Sequence, residues 1–351
     1  MNGGGGPVTV AGVTVDPGSR RDLAPPASES YTGDRTTLPM AVLNGVSDGP
    51  RVFVTAAVHG DELNGIATCR RLLDHLDPGA LSGLVVVVPI VNVLGAQLNS
   101  RYLPDRRDLN RSFPGSHAGS MAARIAKLVT DEVLNGSDLG IDLHTAASHR
   151  TNHPQVRLDT SDAVALDAAI AFGAPFVLDA KQRPGSLRAT AADRGVPVLT
   201  YEGGGPSRFD EAAVDVAERG VLRVLHRLGM VGGAPDPAHP NPMVLHESRW
   251  LRADRGGILG LRVHPGEHVE VGQPLWETVS PLGEERAIHE AEAEGYVIGS
   301  TTLPLVQPGQ AIIHLALPGD RVPSEDDPSD EEDLDDEGDD ESPLGRGTSS
   351  F

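Results

Sequence analysis

The sequence predicts an α/β fold with a doubly wound, mixed but largely parallel sheet, followed by a small all-β domain. Three observations carry this prediction. From about Leu38, short β-branched runs alternate with segments whose apolar residues recur at helical spacing. The stretch GGAPDPAHPNP then interrupts the alternation, because its prolines and glycines leave no room for a helix or a central strand. Beyond it, only short runs divided by turn residues remain.

Residues 1–35 form an N-terminal extension rich in Gly, Pro and Ser, in which VTVAGVTV is expected to add an edge strand. Residues 36–232 form the α/β domain. Its strands are MAVLNG, RVFVTAAVHG, GLVVVVPIVN, LGIDLHT, PFVLDA and PVLTYEGG. Its helices are ELNGIATCRRLLDHL, MAARIAKLVTDEVL, AVALDAAIAF and a long one over 211–228. Such βαβ alternation covers both faces of a sheet with helices. In the β domain, residues 243–317, the runs RWLRA, GILGLRV, PLWETV, ERAIHEAEA, GYVIG and AIIHLA are separated by PGE, VGQP, PLGEE and QPGQ turns. That spacing suits a small barrel or sandwich. Residues 320–351 carry 14 acidic and 2 basic side chains with almost no apolar ones, so this tail is expected to be disordered.

The tail holds more than half of the formal charge of -21, and no nucleic-acid partner is expected for so acidic a chain. The start, MNGGGGPVTVAGVTV, has no basic residue beside an apolar segment, so no secretory signal is read and a cytoplasmic location is expected. The longest apolar stretch, residues 84–94, is broken by Pro89 and Asn92 and is well short of the roughly 20 residues that span a bilayer. No membrane contact is expected. The single cysteine, Cys69, excludes an intramolecular disulfide and a cysteine-based zinc cluster, so a metal site must draw on His, Asp and Glu.

Four segments carry chemistry. In VTAAVHGDELNG, a valine-rich strand runs into His59 and Glu62 just before helical spacing begins, at the strand edge where open α/β sheets bind ligands. An imidazole and a carboxylate across such a turn can converge on one ion. In GIDLHTAASH, strand alternation puts Asp142 and His144 on one side, so that Asp142 can fix a histidine from behind. A His, Glu, His set leaves a fourth zinc position open, as a catalytic site requires. In LTYEGGGPSRF, Glu202 ends a strand beside three glycines and can accept a proton from an attacking water. The loop NSRYLPDRRDLNRSFPG packs Arg101, Arg106, Arg107 and Arg111 among Asp, Asn and Pro, guanidinium chemistry that suits carboxylates and developing oxyanions. Singly, each segment also reads as an ordinary loop or strand end.

Taken in order, HGDE, RYLPDRRDLNR, DLHT and YEGG make residues 36–317 resemble the succinylglutamate desuccinylase and aspartoacylase family, within the zinc-carboxypeptidase-like superfamily. The resemblance implies one Zn2+ per chain held by His59, Glu62 and His144, with Glu202 as general base. It also implies that Asn110 and Arg111 bind the substrate's carboxylate and that Arg101 polarises the scissile carbonyl. Because Arg101 lies further before Asn110 than in the aspartoacylase pattern, Arg106 and Arg107 stay open as alternatives. Arg150, Asn152 and Arg157 in HRTNHPQVR are candidates for selecting the substrate, with His149 and His153 read as polar loop residues. His75, His226, His239, His246, His264, His268, His289 and His314 are expected at the surface or in structural roles, and His117 is unassigned.

The order GGI, VHPGEHVEVGQPL, EGYV in the β domain resembles the barrel-sandwich hybrid fold of biotinyl and lipoyl carrier domains. No lysine follows Lys181, so this domain cannot carry biotin or lipoate. In the resembled family, the β domain narrows the entrance and favours small substrates. The expected activity is therefore hydrolysis of the amide bond of a small N-acyl amino acid or related carboxylate. The rival readings are a zinc carboxypeptidase trimming short acidic peptides and a non-catalytic carboxylate-binding module. Association of the chain into a homo-oligomer is left open.

Overall fold

In the computed structural model, residues 3–29 and 31–319 are described, and the acidic tail expected to be disordered lies outside them. The α/β half contributes β1 (Ser19–Leu23), β2 (Met40–Asn44), β3 (Ser47–Ala56), β4 (Ser82–Val88), β5 (Leu139–His144), β6 (Arg150–Leu158), β7 (Phe176–Asp179) and β8 (Val198–Gly204). The centre is parallel: β3 pairs with β4 and β5, and β5 with β8. Antiparallel β2 and β1 extend one side, and antiparallel β6 the other. The sheet is mixed and largely parallel, as the alternation of strands and helices predicts.

Helices α1 (Asn64–His75), α2 (Val93–Leu98), α3 (Met121–Val129), α4 (Ala163–Phe172), α5 (Leu187–Ala192) and α6 (Glu211–Arg227) complete this half. Strand alternation divides the core in two. Val52, Val54 and Ala56 of β3 face Leu72 of α1, Phe172 of α4 and Val221 of α6. Phe53 points the other way, to Ile125 of α3 and Leu187 of α5. Helices cover both faces, which is what doubly wound means in packing terms.

Several elements depart from expectation. VTVAGVTV does not add an edge strand; it folds on itself as a hairpin of Val8–Val10 and Val13–Val15. The turn residues Ala11 and Gly12 both have positive φ, 47° and 75°, the conformation that matches hairpin twist. Val10 and Val15 are buried beneath the sheet, and the edge is supplied instead by β1. HRTNHPQVR, given no strand in the sequence reading and with His149 and His153 expected as loop residues, supplies most of β6. The short helices α2 and α5 have no sequence periodicity long enough to reveal them.

The C-terminal half contributes β9 (Met243–Leu245), β10 (Glu247–Arg252), β11 (Gly257–Leu261), β12 (His268–Val269), β13 (Pro274–Val279), β14 (Arg286–Glu290), β15 (Gly295–Thr301), β16 (Leu305–Val306) and β17 (Ala311–Leu317). β10, β17 and β15 are antiparallel neighbours, and β14, β13, β11 and β16 form a second sheet in that order. Leu275, Trp276, Val297, Ile313 and Leu315 fill the space between, giving a sandwich-like antiparallel unit. Backbone pairing does not stop at the proline-rich linker. β15 pairs antiparallel with β6, and β9 pairs parallel with β7, so one hydrogen-bonded sheet runs from the α/β half into the C-terminal half. Among the described residues, no helix is long and apolar enough to cross a membrane.

Candidate active site

Three neighbouring parallel strands deliver the central side chains at their carboxyl ends. His59 and Glu62 lie in the turn between β3 and α1, His144 is the last residue of β5, and Glu202 stands opposite His144 on β8. The turn after β3 is tightly constrained. Ala57, fully buried, has φ of 50° in the left-handed region, a conformation that costs energy for a residue with a Cβ. A Cβ on Gly60 would lie 2.0 Å from the Gly95 carbonyl carbon, so glycine is what lets α2 press against the turn.

The ligating atoms of His59, Glu62 and His144 all lie within 4.8 Å of one another, and this cluster can hold a metal ion. Glu62 sits between the imidazoles, with Oε1 2.6 Å from His59 Nδ1 and Oε2 2.8 Å from His144 Nδ1. The Thr145 amide donates to Glu62 Oε2 at 3.1 Å. Behind His144, Nε2 is 2.8 Å from Asp142 Oδ2, and Thr55 Oγ1 donates to Asp142 Oδ1 at 2.7 Å. This chain of contacts fixes the ring and turns Nδ1 towards the cluster.

Charge follows from these contacts. Burial opposes ionisation of Glu62, yet the His59 and His144 imidazoles hold its carboxyl well below the usual carboxylate range. Burial also works against protonation of His144, but Asp142 and Glu62 override it and raise the imidazole well above its ordinary value. His59 is raised too: burial and Arg101 oppose its protonation, and Glu62 and Asp108 outweigh them. In the metal-free cluster these contacts favour the protonated imidazoles and the ionised carboxylate.

Eleven residues singled out in the sequence line one cavity of about 590 Å³: His59, Glu62, Arg101, Asn110, Arg111, Asp142, His144, Arg150, Asn152, Arg157 and Glu202. Arg101 Nη1 lies 3.3 Å from His59 Nδ1 and 3.7 Å from Glu62 Oε1. Arg106 is exposed at φ of 61°, and Arg107 is exposed beside Asp105; neither lines the cavity. The Asn110 side-chain oxygen accepts from the Leu187 amide at 2.9 Å, which pins α5 and turns the carboxamide nitrogen away from that contact.

Asp108 was not anticipated and organises the arginine loop. Its carboxylate accepts from Arg101 Nη2 at 3.1 Å and from the Asn110 amide at 2.7 Å, and Oδ1 lies 3.3 Å from His59 Nε2. Burial disfavours its charge, but His59, Arg101 and Arg111 hold the carboxyl far below the ordinary range. The available signal was an Asp just before a short helical turn, a capping position.

A bulge decides which face of β6 meets the cavity. Arg157 stands opposite Thr200 and Gln155 opposite Glu202, but the register then shifts so that Asn152 faces Gly204. Plain alternation from Gln155 would bring His153 to the cavity. The shift brings Asn152 and Arg150 instead, because one extra residue reverses which side chains share a face. Pro154 lies within the bulge, where its missing N–H leaves no ladder bond unmade. His153 packs on Phe176, and the His149 carbonyl accepts from the Thr302 amide at 2.7 Å.

His246 and His314 are among the histidines expected at the surface or in structural roles. Both line the cavity, with Ser248 and Trp250. His314 stacks on Trp250 at 4.7 Å because the two are register partners on β17 and β10. Arg150 lies over the Trp250 ring, 4.6 Å from its centroid. Lys181, Arg183 and Arg188, which carried no motif, complete a cation-rich lining. His117 remains at the surface, 79% exposed, beside Asp131.

The chain is similar to known proteins in sequence and in fold. The succinylglutamate desuccinylase/aspartoacylase catalytic domain matches residues 48–228, the span holding all four motif segments. The chain is 32% identical over 249 residues to N-alpha-acetyl-L-2,4-diaminobutyric acid deacetylase of Halomonas elongata, covering 65% of this chain and 70% of that protein. The crystal structure of succinylglutamate desuccinylase/aspartoacylase from Rhodobacter sphaeroides is similar at a TM-score of 0.77 and 27% identity, covering 86% of this chain and 96% of that one. The product-bound ectoine utilization protein EutE (DoeB) from Ruegeria pomeroyi shares the fold at a TM-score of 0.76 and 22% identity, covering 85% and 95%. With motifs, fold and sequence in agreement, the chain belongs to the succinylglutamate desuccinylase/aspartoacylase family, a family of amide-hydrolysing deacylases.

Proposed function

We propose that the chain is a zinc-dependent deacylase that hydrolyses the amide bond of a small N-acyl amino acid or related carboxylate. The observation carrying this reading is the convergence of His59, Glu62 and His144 beside Glu202 on the next strand. Two imidazoles and one carboxylate are the donor set of catalytic zinc sites that keep a position open, and Asp142 behind His144 is the usual support for such a ligand. Bound there, zinc would polarise the scissile carbonyl and acidify water.

The chain's own groups account for the rest. Glu202 takes the proton from the attacking water and returns it to the leaving nitrogen. Arg101, oriented by Asp108, faces the ligand cluster and steadies the developing oxyanion. Arg111 and the Asn110 carboxamide nitrogen anchor the substrate's carboxylate, and Arg150 and Arg157 select among side chains or acyl groups further along the cavity. The Halomonas relative is named for an N-acetylated amino acid. A cavity of about 590 Å³, walled in part by Trp250 and His314, suits molecules of that size better than long peptides.

The test is a panel of N-acyl amino acids incubated with zinc-loaded protein and followed by mass. Release of the acyl acid is expected, with one zinc per chain by elemental analysis. Glu202→Gln should lower kcat by roughly 10²–10⁴-fold while retaining the metal. Full activity in that variant, or active protein without zinc, would overturn the mechanism.

A further inference from the structure

Asn152 donates from Nδ2 to Glu202 Oε2 at 3.2 Å, and it is only 8% exposed. It reaches that position because of the bulge in β6, and the same backbone segment is bonded on its other side to the C-terminal half. Arg150, Thr151 and Asn152 of β6 stand opposite Thr301, Ser300 and Gly299 of β15. Gly299 has no side chain where one would intrude: a Cβ there would lie 2.6 Å from Asn152 Oδ1.

We propose that Gly299 and Asn152 position the Glu202 carboxylate, the glycine by leaving room for the Asn152 carboxamide and the carboxamide by holding Oε2. The proposal rests on the reading of Glu202 as the general base. A carboxylate gripped at one oxygen cannot rotate freely about its terminal bond, so the grip fixes where Oε1 points, and base catalysis depends on that direction. Asn152 is thus a positioning residue, and β15 of the C-terminal half acts on the chemistry without touching substrate.

The experiment compares zinc-loaded, full-length Asn152→Ala, Gly299→Ala, the double variant and Glu202→Gln on the panel member cleaved fastest. Asn152→Ala and Gly299→Ala are each expected to lower kcat roughly tenfold, with KM within about twofold of the parent. Zinc content and melting temperature should stay at parental values. The double variant should be no slower than Asn152→Ala, because both changes remove one contact. The proposal is overturned if Gly299→Ala keeps the parental kcat, if the two losses multiply, or if Asn152→Ala raises KM with kcat unchanged. Gly299→Ala decides the matter should Asn152→Ala not fold. An inactive Glu202→Gln beside fully active Asn152→Ala and Gly299→Ala would sink this inference alone. A fully active Glu202→Gln would sink the base assignment with it.

Discussion

In the α/β half, the residues facing the cavity come in short stretches of sequence: His59 and Glu62 in one turn, Asp142 and His144 on one strand, Arg101 to Arg111 in one loop. In the C-terminal half, Trp250 and His314 face the same cavity but are neighbours only because β10 and β17 pair in register. Ligands and proton carriers must meet within a few ångströms of one point, which strand ends and tight turns achieve locally. A wall needs only area and shape, and residues far apart in the chain can supply it. The comparison teaches that motif density follows the demands of chemistry, while the cavity's boundary follows from strand pairing.

After Glu202→Gln, the largest effect should come from the arginine loop. Arg101→Met is expected to lower kcat by roughly 10²–10³-fold, the loss of one preorganised group at a developing oxyanion, with a smaller change in KM. Steady-state kinetics on a cleaved panel member measures both; an effect confined to KM would move Arg101 from chemistry to binding.

Next is Asp108, whose depressed carboxyl means the folded state favours its charge. Its contribution is present above the ordinary carboxylate pKa of about 4 and fades as pH falls towards the folded-state value. Asp108→Asn should therefore cost about 3 kcal/mol near neutral pH by removing one of the carboxylates that Arg101 and His59 share. The gap from the parent should narrow below about pH 4. Urea unfolding of metal-free protein at the two pH values decides it, and a gap that widens in acid would refute the assignment.

The smallest effect is expected across the sheet. Trp250→Ala removes the surface under Arg150 and should raise KM roughly tenfold, with kcat within about twofold. A loss in kcat comparable to that of Arg101→Met would erase the distinction between the halves.

Much of the fold was legible because local patterns and tertiary packing agree. Strands β3, β4 and β5 are covered on both faces, so their apolar runs read directly as central strands. β6 was not legible, since a proline and several polar residues in a central position argue against a strand unless a bulge is known to sit there. That single miss also hid the contact of Asn152 with Glu202, and without a strand Asn152 could only be a candidate for substrate selection. The metal cluster, Glu202 and the arginine loop were visible as residue types at strand ends. His246, Ser248, Trp250 and His314 were not, because their presence in the cavity depends on register, and Asp108 was not, because its role rests on side-chain contacts with Arg101 and His59; neither is written locally.

The pairing of β6 with β15 has a consequence for synthesis. Contacts between distant segments form only once both are available, and a growing chain presents its N-terminal part first. By the time β8 has emerged, β3 and β5 can already gather His59, Glu62 and His144 next to Glu202. Asn152 gains its second neighbouring strand only after residues 299–301 leave the ribosome. On the proposed function, a nascent chain would gather the His59, Glu62 and His144 cluster before Asn152 gains its second neighbour, and a translation product truncated in the β half would compete for metal while turning over substrate more slowly.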